Sequence, residues 1–191
     1  MPDAGRVIAG TARSIRLDAP GAGTRPLADR VKQTLFAILE PDLQDARFLD
    51  LFAGSGAGGI EALSRGAAHA TFVEHDADAI RTITANLGRA GFGGKDRATV
   101  VRADVLAWLR DPHRHDGPAY DLVFVDPPYD KTDLLLASLE GLRGLVRPDA
   151  RVVAKHFWRT PPPARVGLLA SERERQFGDT ALTFYRPTED A

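Results

Sequence analysis

Hydrophobic positions between residues 47 and 156 follow two alternating rhythms. Short apolar runs at 47–51, 69–74, 97–102, 120–125 and 150–156 have the character of strands buried on both faces. Between them, Ile60 to Arg65, Ala77 to Leu87, Val105 to Leu109 and Leu134 to Leu142 carry apolar residues at helical spacing. Strands that alternate with helices need crossover connections, so the pattern predicts a mainly parallel sheet with helices on both faces. Ahead of this block, residues 6–17 read as two short strands around Gly10, and 19–27 hold too many breakers for regular structure. Leu27, Val31, Leu35 and Ile38 then share one face of a helix expected over 28–39, which Pro41 stops. At the other end, Val166 to Glu174 and Ala181 to Arg186 read as a hairpin turning at Gly178-Asp179 and closing the sheet with antiparallel pairing. The prolines within Arg159 to Arg165 mark an extended connection.

A chain of 191 residues, 43% hydrophobic and 27% charged, is long enough for one sizeable core and short for two. A single α/β domain with a small N-terminal appendage is expected. There is no cysteine, which removes disulfides, thiolate metal sites and thiol nucleophiles. Nothing near Met1 resembles a signal segment and no apolar run approaches the ~20 residues that span a bilayer, so a cytoplasmic protein without a membrane partner is expected. The net charge of −1 hides an asymmetry. Up to Lys32, Arg6, Arg13, Arg16, Arg25, Arg30 and Lys32 outweigh Asp3, Asp18 and Asp29. A solvated basic tail and a phosphate-contacting surface explain that excess equally well.

Candidate chemistry begins where the first strand of the alternating block runs into Asp50-Leu51-Phe52-Ala53-Gly54-Ser55-Gly56-Ala57-Gly58-Gly59. Glycines at a strand-to-helix junction let the backbone turn tightly and approach a ligand. Gly54, Gly56 and Gly59 also satisfy the dinucleotide fingerprint, a weak match by itself. An acid at Asp50 favours S-adenosylmethionine instead: a carboxylate there attracts the ligand's amino group and repels a pyrophosphate. Glu74, ending the second strand, is placed to accept hydrogen bonds from ribose hydroxyls, and Asp104, after the third, is either an acceptor for an adenine amino group or a helix cap.

The apolar run Asp121 to Val125 leads directly into Asp126-Pro127-Pro128-Tyr129. A parallel strand delivers this turn to the edge of the sheet where the cofactor is expected. Its prolines fix their φ angles and leave carbonyl acceptors in a stiff arrangement. An exocyclic amine on a nucleobase is a poor nucleophile because its lone pair is delocalised into the ring. Acceptors at the Asp126 carboxylate and the Pro127 carbonyl, each taking one amino hydrogen, turn that lone pair toward the sulfonium methyl. Tyr129 can stack on the extruded base, a contact worth roughly 1–3 kcal/mol. Without cysteine, the usual covalent route to pyrimidine C5 is closed, whereas amino-nitrogen transfer remains open.

With these residues in view, the chain resembles the RsmD-type family, bacterial methyltransferases that modify a guanine N2 in small-subunit (16S) ribosomal RNA. The likeness runs through Arg6 to Gly10, Thr24-Arg25-Pro26, Asp29-Arg30-Val31, Leu35-Phe36, Asp50 to Glu61, Ala62 to Gly66, Val125 to Tyr129, Arg175, Phe177 to Thr180 and Phe184-Tyr185. It implies a Rossmann-like class I methyltransferase: a mainly parallel seven-stranded sheet with helices on both faces, plus an N-terminal β-hairpin. Residues 1–27 would be the hairpin and loop that bind RNA and close over the cofactor, and 28–191 the methyltransferase domain. Implied cofactor contacts are Asp50, Phe52, Ala53, Gly54, Ser55, Gly56, Glu74, His75, Asp104 and Val105, with Thr24, Arg25 and Pro26 closing. The catalytic turn is Asp126, Pro127, Pro128 and Tyr129. RNA contacts fall on Arg6, Arg13, Arg16, Arg30 and Lys32, and the implied partner is 16S rRNA or a 30S assembly intermediate bound by a monomer without metal. Two positions depart from the family pattern. Gly58 replaces a larger apolar residue, and Lys155-His156 stands where an acid is often found.

Other readings remain open. A nicotinamide-dependent oxidoreductase leaves Asp126 to Tyr129 unexplained, and a noncatalytic RNA-binding protein has no need of that turn. Methylation of adenine N6 or of a protein glutamine would use the same corner, and pocket shape decides among them. His113 and His115 in a Pro- and Asp-containing loop lack a second ligand cluster in the sequence. Trp108 is expected in the core, and Trp158 either in the core or on a binding surface.

Overall fold

In the computed structural model the described residues are 3–21, 27–94, 96–111, 113, 117 and 119–188. In chain order, a hairpin of β1 (Asp3–Arg6) and β2 (Arg16–Asp18) precedes α1 (Asp29–Leu39). The alternating block follows as β3 (Arg47–Leu51), α2 (Ala57–Ser64), β4 (His69–Glu74), α3 (Ala77–Arg89), β5 (Ala98–Arg102), α4 (Val105–Arg110), β6 (Tyr120–Val125) and α5 (Thr132–Glu140). The chain ends in β7 (Val146–Phe157), β8 (Arg165–Val166), β9 (Leu169–Phe177) and β10 (Thr180–Pro187).

The main sheet has the order β5-β4-β3-β6-β7-β10-β9-β8. Strands β3 to β7 pair in parallel, and β10 joins β7 antiparallel, followed by β9 and β8. The sheet therefore carries eight strands, one more than expected, because the two-residue β8 adds to its edge. The central strands β3, β4 and β6 are buried on both faces, as their continuous apolar runs predict, whereas β5, at the sheet edge, is partly exposed. Phe48, Phe72 and Phe124 face one layer with Ile60, Leu63 and Ile83 of the helices. Leu49, Leu51, Val73, Val123 and Val125 face the other, against Trp108, Leu109 and Leu139. Trp108 is thus a core residue. Each such side chain contributes about 1.5–3 kcal/mol on burial, which fixes the register of the strand ends that carry the polar groups.

Local sequence sets the helix starts. Asp76 caps α3, accepting from the N–H groups of Asp78 (2.9 Å) and Ala79 (2.8 Å). Gly56 begins α2 at φ 76°, a left-handed conformation that favours glycine. Pro41 does not simply stop α1: it lies in a 3-10 turn over Glu40–Asp42 that extends it, because proline needs no N–H partner in a first turn.

The N-terminal strands differ from the expected 6–17. Regular pairing lies at 3–6 and 16–18, and the segment between them folds down on α2. Val7 N–H donates to the Ile15 carbonyl at 2.9 Å, while Ile8 and Ala9 N–H groups donate to Glu61 at 2.8 and 3.1 Å. Ser64 closes the contact, accepting from Ala12 N–H at 2.9 Å and donating to the Ala9 carbonyl. Glu61 is fully buried and also binds Arg65 at 2.8 Å. The Glu61 to Gly66 motif is therefore a staple for the hairpin. Ala4, Val7, Leu17 and Ala19 belong to the same core layer as Phe48 and Phe72.

Candidate active site

Parallel registration brings the carboxyl ends of the strands to one edge. Asp50 pairs laterally with Phe72 and Phe124, so Glu74 and Asp126 emerge beyond the same line. Above it lies a cavity of about 610 Å³ whose wall includes Asp50, Phe52 to Ser55, Glu74 to Asp76, Asp126 to Tyr129 and Lys155. Ala4, Ala19, Pro20, Gly21 and Leu27 supply the other side, so the hairpin segment forms part of the enclosure.

Asp50 is 2% exposed, and its Oδ2 accepts the Gly59 N–H at 2.8 Å. Burial pushes its carboxyl up to about 8, with the Gly59 bond working against burial and Asp126 and Glu74 adding to it. Gly58 explains how this acid fits. A Cβ there would lie 3.0 Å from Asp50 Oδ2 and 3.2 Å from Phe124 Cδ1, so glycine leaves the carboxylate its room. At Gly59 a Cβ would meet Phe72 Cε1 at 2.3 Å. Phe52 holds φ 61°, a strained value for a side chain of its size, while its N–H and that of Ala53 donate to the Val73 carbonyl at 3.1 and 3.2 Å.

Glu74 ties this loop to the second strand. Its Oε2 accepts the Gly54 N–H at 3.0 Å and its Oε1 the N–H groups of His75 (2.8 Å) and Asp76 (3.0 Å). His75 Nδ1 also lies 2.9 Å from Oε1, so of the roughly four lone-pair sites of a carboxylate the remaining acceptor capacity is on Oε2. These features suit S-adenosylmethionine: a buried acid whose carboxyl is raised to about 8, a second acid lining the same cavity, and a glycine turn. Asn86, fully buried on α3, was not foreseen. It donates to the carbonyls of Ser55 and Asp18, each at 2.9 Å, and so links the glycine loop to the hairpin.

At the Asp126 corner the sequence reading missed the main partner. Lys155 Nζ donates to Asp126 Oδ1 at 2.6 Å and stands over the Tyr129 ring, 4.8 Å from its centroid. Burial raises the Asp126 carboxyl, and Lys155 opposes it. Burial alone would lower the Lys155 ammonium, but Asp126 and Tyr129 outweigh it and hold it above its ordinary value. The net effect leaves both groups above their ordinary values, and the 2.6 Å contact is a salt bridge by its geometry. Tyr129 Oη shares a 2.6 Å hydrogen bond with Thr180 Oγ1, brought there by the β9–β10 hairpin, and its ring lies 6.4 Å from that of Phe157. The register explains the contact: β6 and β7 are parallel with Val125 opposite Ala154, which puts the next residue of each strand side by side.

The remaining candidates divide. Asp104 caps α4, its Oδ1 accepting the Ala107 N–H at 2.9 Å, and neither it nor Val105 lines the cavity. Ser55, Gly54 and His75 do line it. Arg13 and Arg30 are exposed, while Arg16 pairs with Asp3 at 3.4 Å and Arg6 with Asp29 at 3.6 Å. Lys32 is a correction. It is fully buried, donates to the Arg6 carbonyl and pairs with Asp29 at 3.6 Å, so it braces the hairpin and presents nothing to a phosphate. Burial lowers its ammonium below the ordinary value. Thr24, Arg25, Pro26 and His115 lie outside the described residues. Among the described residues no group of three His, Cys, Asp or Glu is arranged to hold a metal, and no helix is long and apolar enough to cross a membrane. Trp158 is 37% exposed, with the Arg159 guanidinium 5.0 Å from its ring centroid.

A parallel Rossmann-like sheet, acids ending successive strands over a glycine turn, and an Asp-Pro-Pro-Tyr corner facing the same cavity define a class I S-adenosylmethionine-dependent methyltransferase. Comparison with known proteins narrows the class. A family model described as conserved hypothetical protein 95 matches residues 5–186. The chain belongs to that family, the RsmD family of methyltransferases. It is 42% identical over 184 residues to ribosomal RNA small subunit methyltransferase D of Escherichia coli (strain K12), covering 95% of this chain and 89% of that protein. Among solved structures, yhhF of Escherichia coli superposes with a TM-score of 0.83 at 34% identity, covering 97% of this chain and 98% of that one. The hypothetical protein TTHA0928 of Thermus thermophilus gives 0.79 at 33% identity, covering 94% and 97%.

Proposed function

We propose that this protein transfers a methyl group from S-adenosylmethionine to the exocyclic N2 of a guanine in small-subunit ribosomal RNA. The observation that carries the reading is the acceptor corner at Asp126 and Pro127, opening on the same cavity as Asp50 and Glu74. When bound there, the sulfonium supplies an electrophilic methyl group. Asp50 meets the amino group of the ligand, and Glu74 accepts from its ribose. Asp126, bridged to Lys155 at 2.6 Å, accepts one amino hydrogen of the target base, and the Pro127 carbonyl accepts the other. This holds the nitrogen lone pair toward the methyl carbon, and Asp126 is placed to take the proton that the amine sheds. Position and orientation supply most of the acceleration, since effective molarities for aligned groups are very large.

The ribosomal substrate is supported by the 42% identical relative and by the exposed Arg13 and Arg16 of the hairpin segment. The hairpin segment 1–27 serves, in this reading, as the RNA-binding and closing element on the methyltransferase body of 28–191. The test is incubation with methyl-labelled S-adenosylmethionine and unmodified 30S particles, 16S RNA, DNA and protein fractions, followed by identification of the labelled product by mass. Label on guanine N2 of small-subunit RNA is expected. Label on adenine N6 or on protein, or in no fraction, overturns the assignment.

A further inference from the structure

The buried ion pair at the Asp126 corner has a geometry that reads a base edge, an inference that rests on the amino-methylation reading above. Lys155 is 7% exposed and lines the cavity, yet a methionine would fill much the same space without the cost of burying a charge. Of its three N–H donors one is spent on Asp126 Oδ1 at 2.6 Å and a second engages Tyr129, which leaves one. The ammonium also stands over the face of Tyr129, 4.8 Å from the ring centroid, so a base that shares that face meets it edge-on. Beside it, Asp126 retains a second carboxylate oxygen as an acceptor. The corner therefore presents a carboxylate acceptor and an ammonium donor as neighbours. Their complement is an exocyclic amine next to an unprotonated ring nitrogen.

We propose that Lys155 is a specificity-determining residue that donates a hydrogen bond to the ring nitrogen adjacent to the target amine while Asp126 accepts from the amine itself. In guanine the two neighbours of N2 differ: N3 is an acceptor, and N1 carries a hydrogen that an ammonium would repel. Guanine thus enters with its N3 side toward Lys155 and its N1–H directed away.

The test uses the full-length protein and small-subunit RNA ligated from a synthetic fragment that carries guanosine or 3-deazaguanosine at the methylated position, identified beforehand by mass. A hydrogen bond to a charged group sets the scale: the wild-type protein should prefer guanosine in kcat/KM by roughly 10- to 100-fold. In Lys155→Met the preference should fall to near unity, and Lys155→Gln, which keeps a donor, should restore part of it. A wild-type preference near unity overturns the inference even if neither variant folds, as does an undiminished preference in Lys155→Met. No methylation of the unmodified guanosine RNA, seen before any analogue is tried, is instead a failure of the methyl-transfer reading.

Discussion

Asp50 offers a quantitative test of how the cofactor site is charged. Its carboxyl is 2% exposed and pushed up to about 8 by burial, so in the free protein at pH 7 about nine-tenths of it is protonated. If the amino group of S-adenosylmethionine binds the ionised form, binding must expel that proton. The apparent dissociation constant then weakens about tenfold for each pH unit below 8, reaching roughly 100-fold at pH 6. The ligand's own α-amino group, near 7.7–8.0 in the reference state, stays charged over pH 6–7, so that window isolates the protein's carboxyl. Isothermal calorimetry in two buffers of different ionisation enthalpy should show release of about 0.9 proton per site at pH 7. Asp50→Asn should bind weakly, with no pH dependence and no proton release. The same shift acts on stability. A carboxyl raised on folding adds stability at low pH and loses it as pH rises from about 3.9 toward about 8, so the Tm gap between Asp50→Asn and the ligand-free wild type should widen in favour of the variant over that range. Proton-silent, pH-independent binding by the wild type would refute this account of Asp50.

Other consequences are equally direct. Asp126→Asn, which keeps the shape but removes the charge paired with Lys155, should lower kcat by about 10²–10³ while the affinity for S-adenosylhomocysteine, followed by calorimetry, changes little; unchanged turnover would remove Asp126 from the chemistry. Replacing Arg13 and Arg16 by Ala should weaken RNA binding across sequences and reduce the slope of log K against log salt by about one per lost phosphate contact; an unaltered slope would leave the hairpin no phosphate role. Glu61→Ala strips the acceptor from Ile8 and Ala9 N–H and from Arg65, and should cost about 3 kcal/mol in urea unfolding, with increased amide exchange confined to the hairpin; an undiminished stability would mean the hairpin is held elsewhere.

Much of this arrangement was legible in the residue pattern because burial on both faces leaves continuous apolar runs. β3, β4 and β6 begin and end where those runs do, and the polar groups at their ends fall on one edge by parallel registration. The hairpin was harder. Val7 N–H does bond the Ile15 carbonyl beside the β1–β2 pairing, yet residues 8–12 dock on α2 through their backbone groups and do not continue the ladder. Lys32 was misread because composition counts a lysine as surface charge, whereas a carbonyl and an aspartate beside a buried stem let this one sit inside. Asp104 carried two readings that strand ends alone do not separate; its bond to Ala107 N–H favours the cap. Lys155 stood out as a departure from the family pattern, but a charged residue within the Val152 to His156 run does not name its partner. Asn86 and Glu61 act through backbone groups distant in sequence, and no local spacing announces such contacts.

The proposed chemistry depends on the sulfur of the cofactor and the Asp126 carboxylate facing each other across a gap that one methyl and one amino group fill. A crystal structure with S-adenosylhomocysteine measures this directly. The account predicts the homocysteine amino group at Asp50, the ribose at Glu74 and the sulfur directed toward Asp126, on the side of the cavity that Tyr129 lines. A sulfur pointing away from the Asp126 to Tyr129 turn, or a ligand seated outside the cavity, would contradict it.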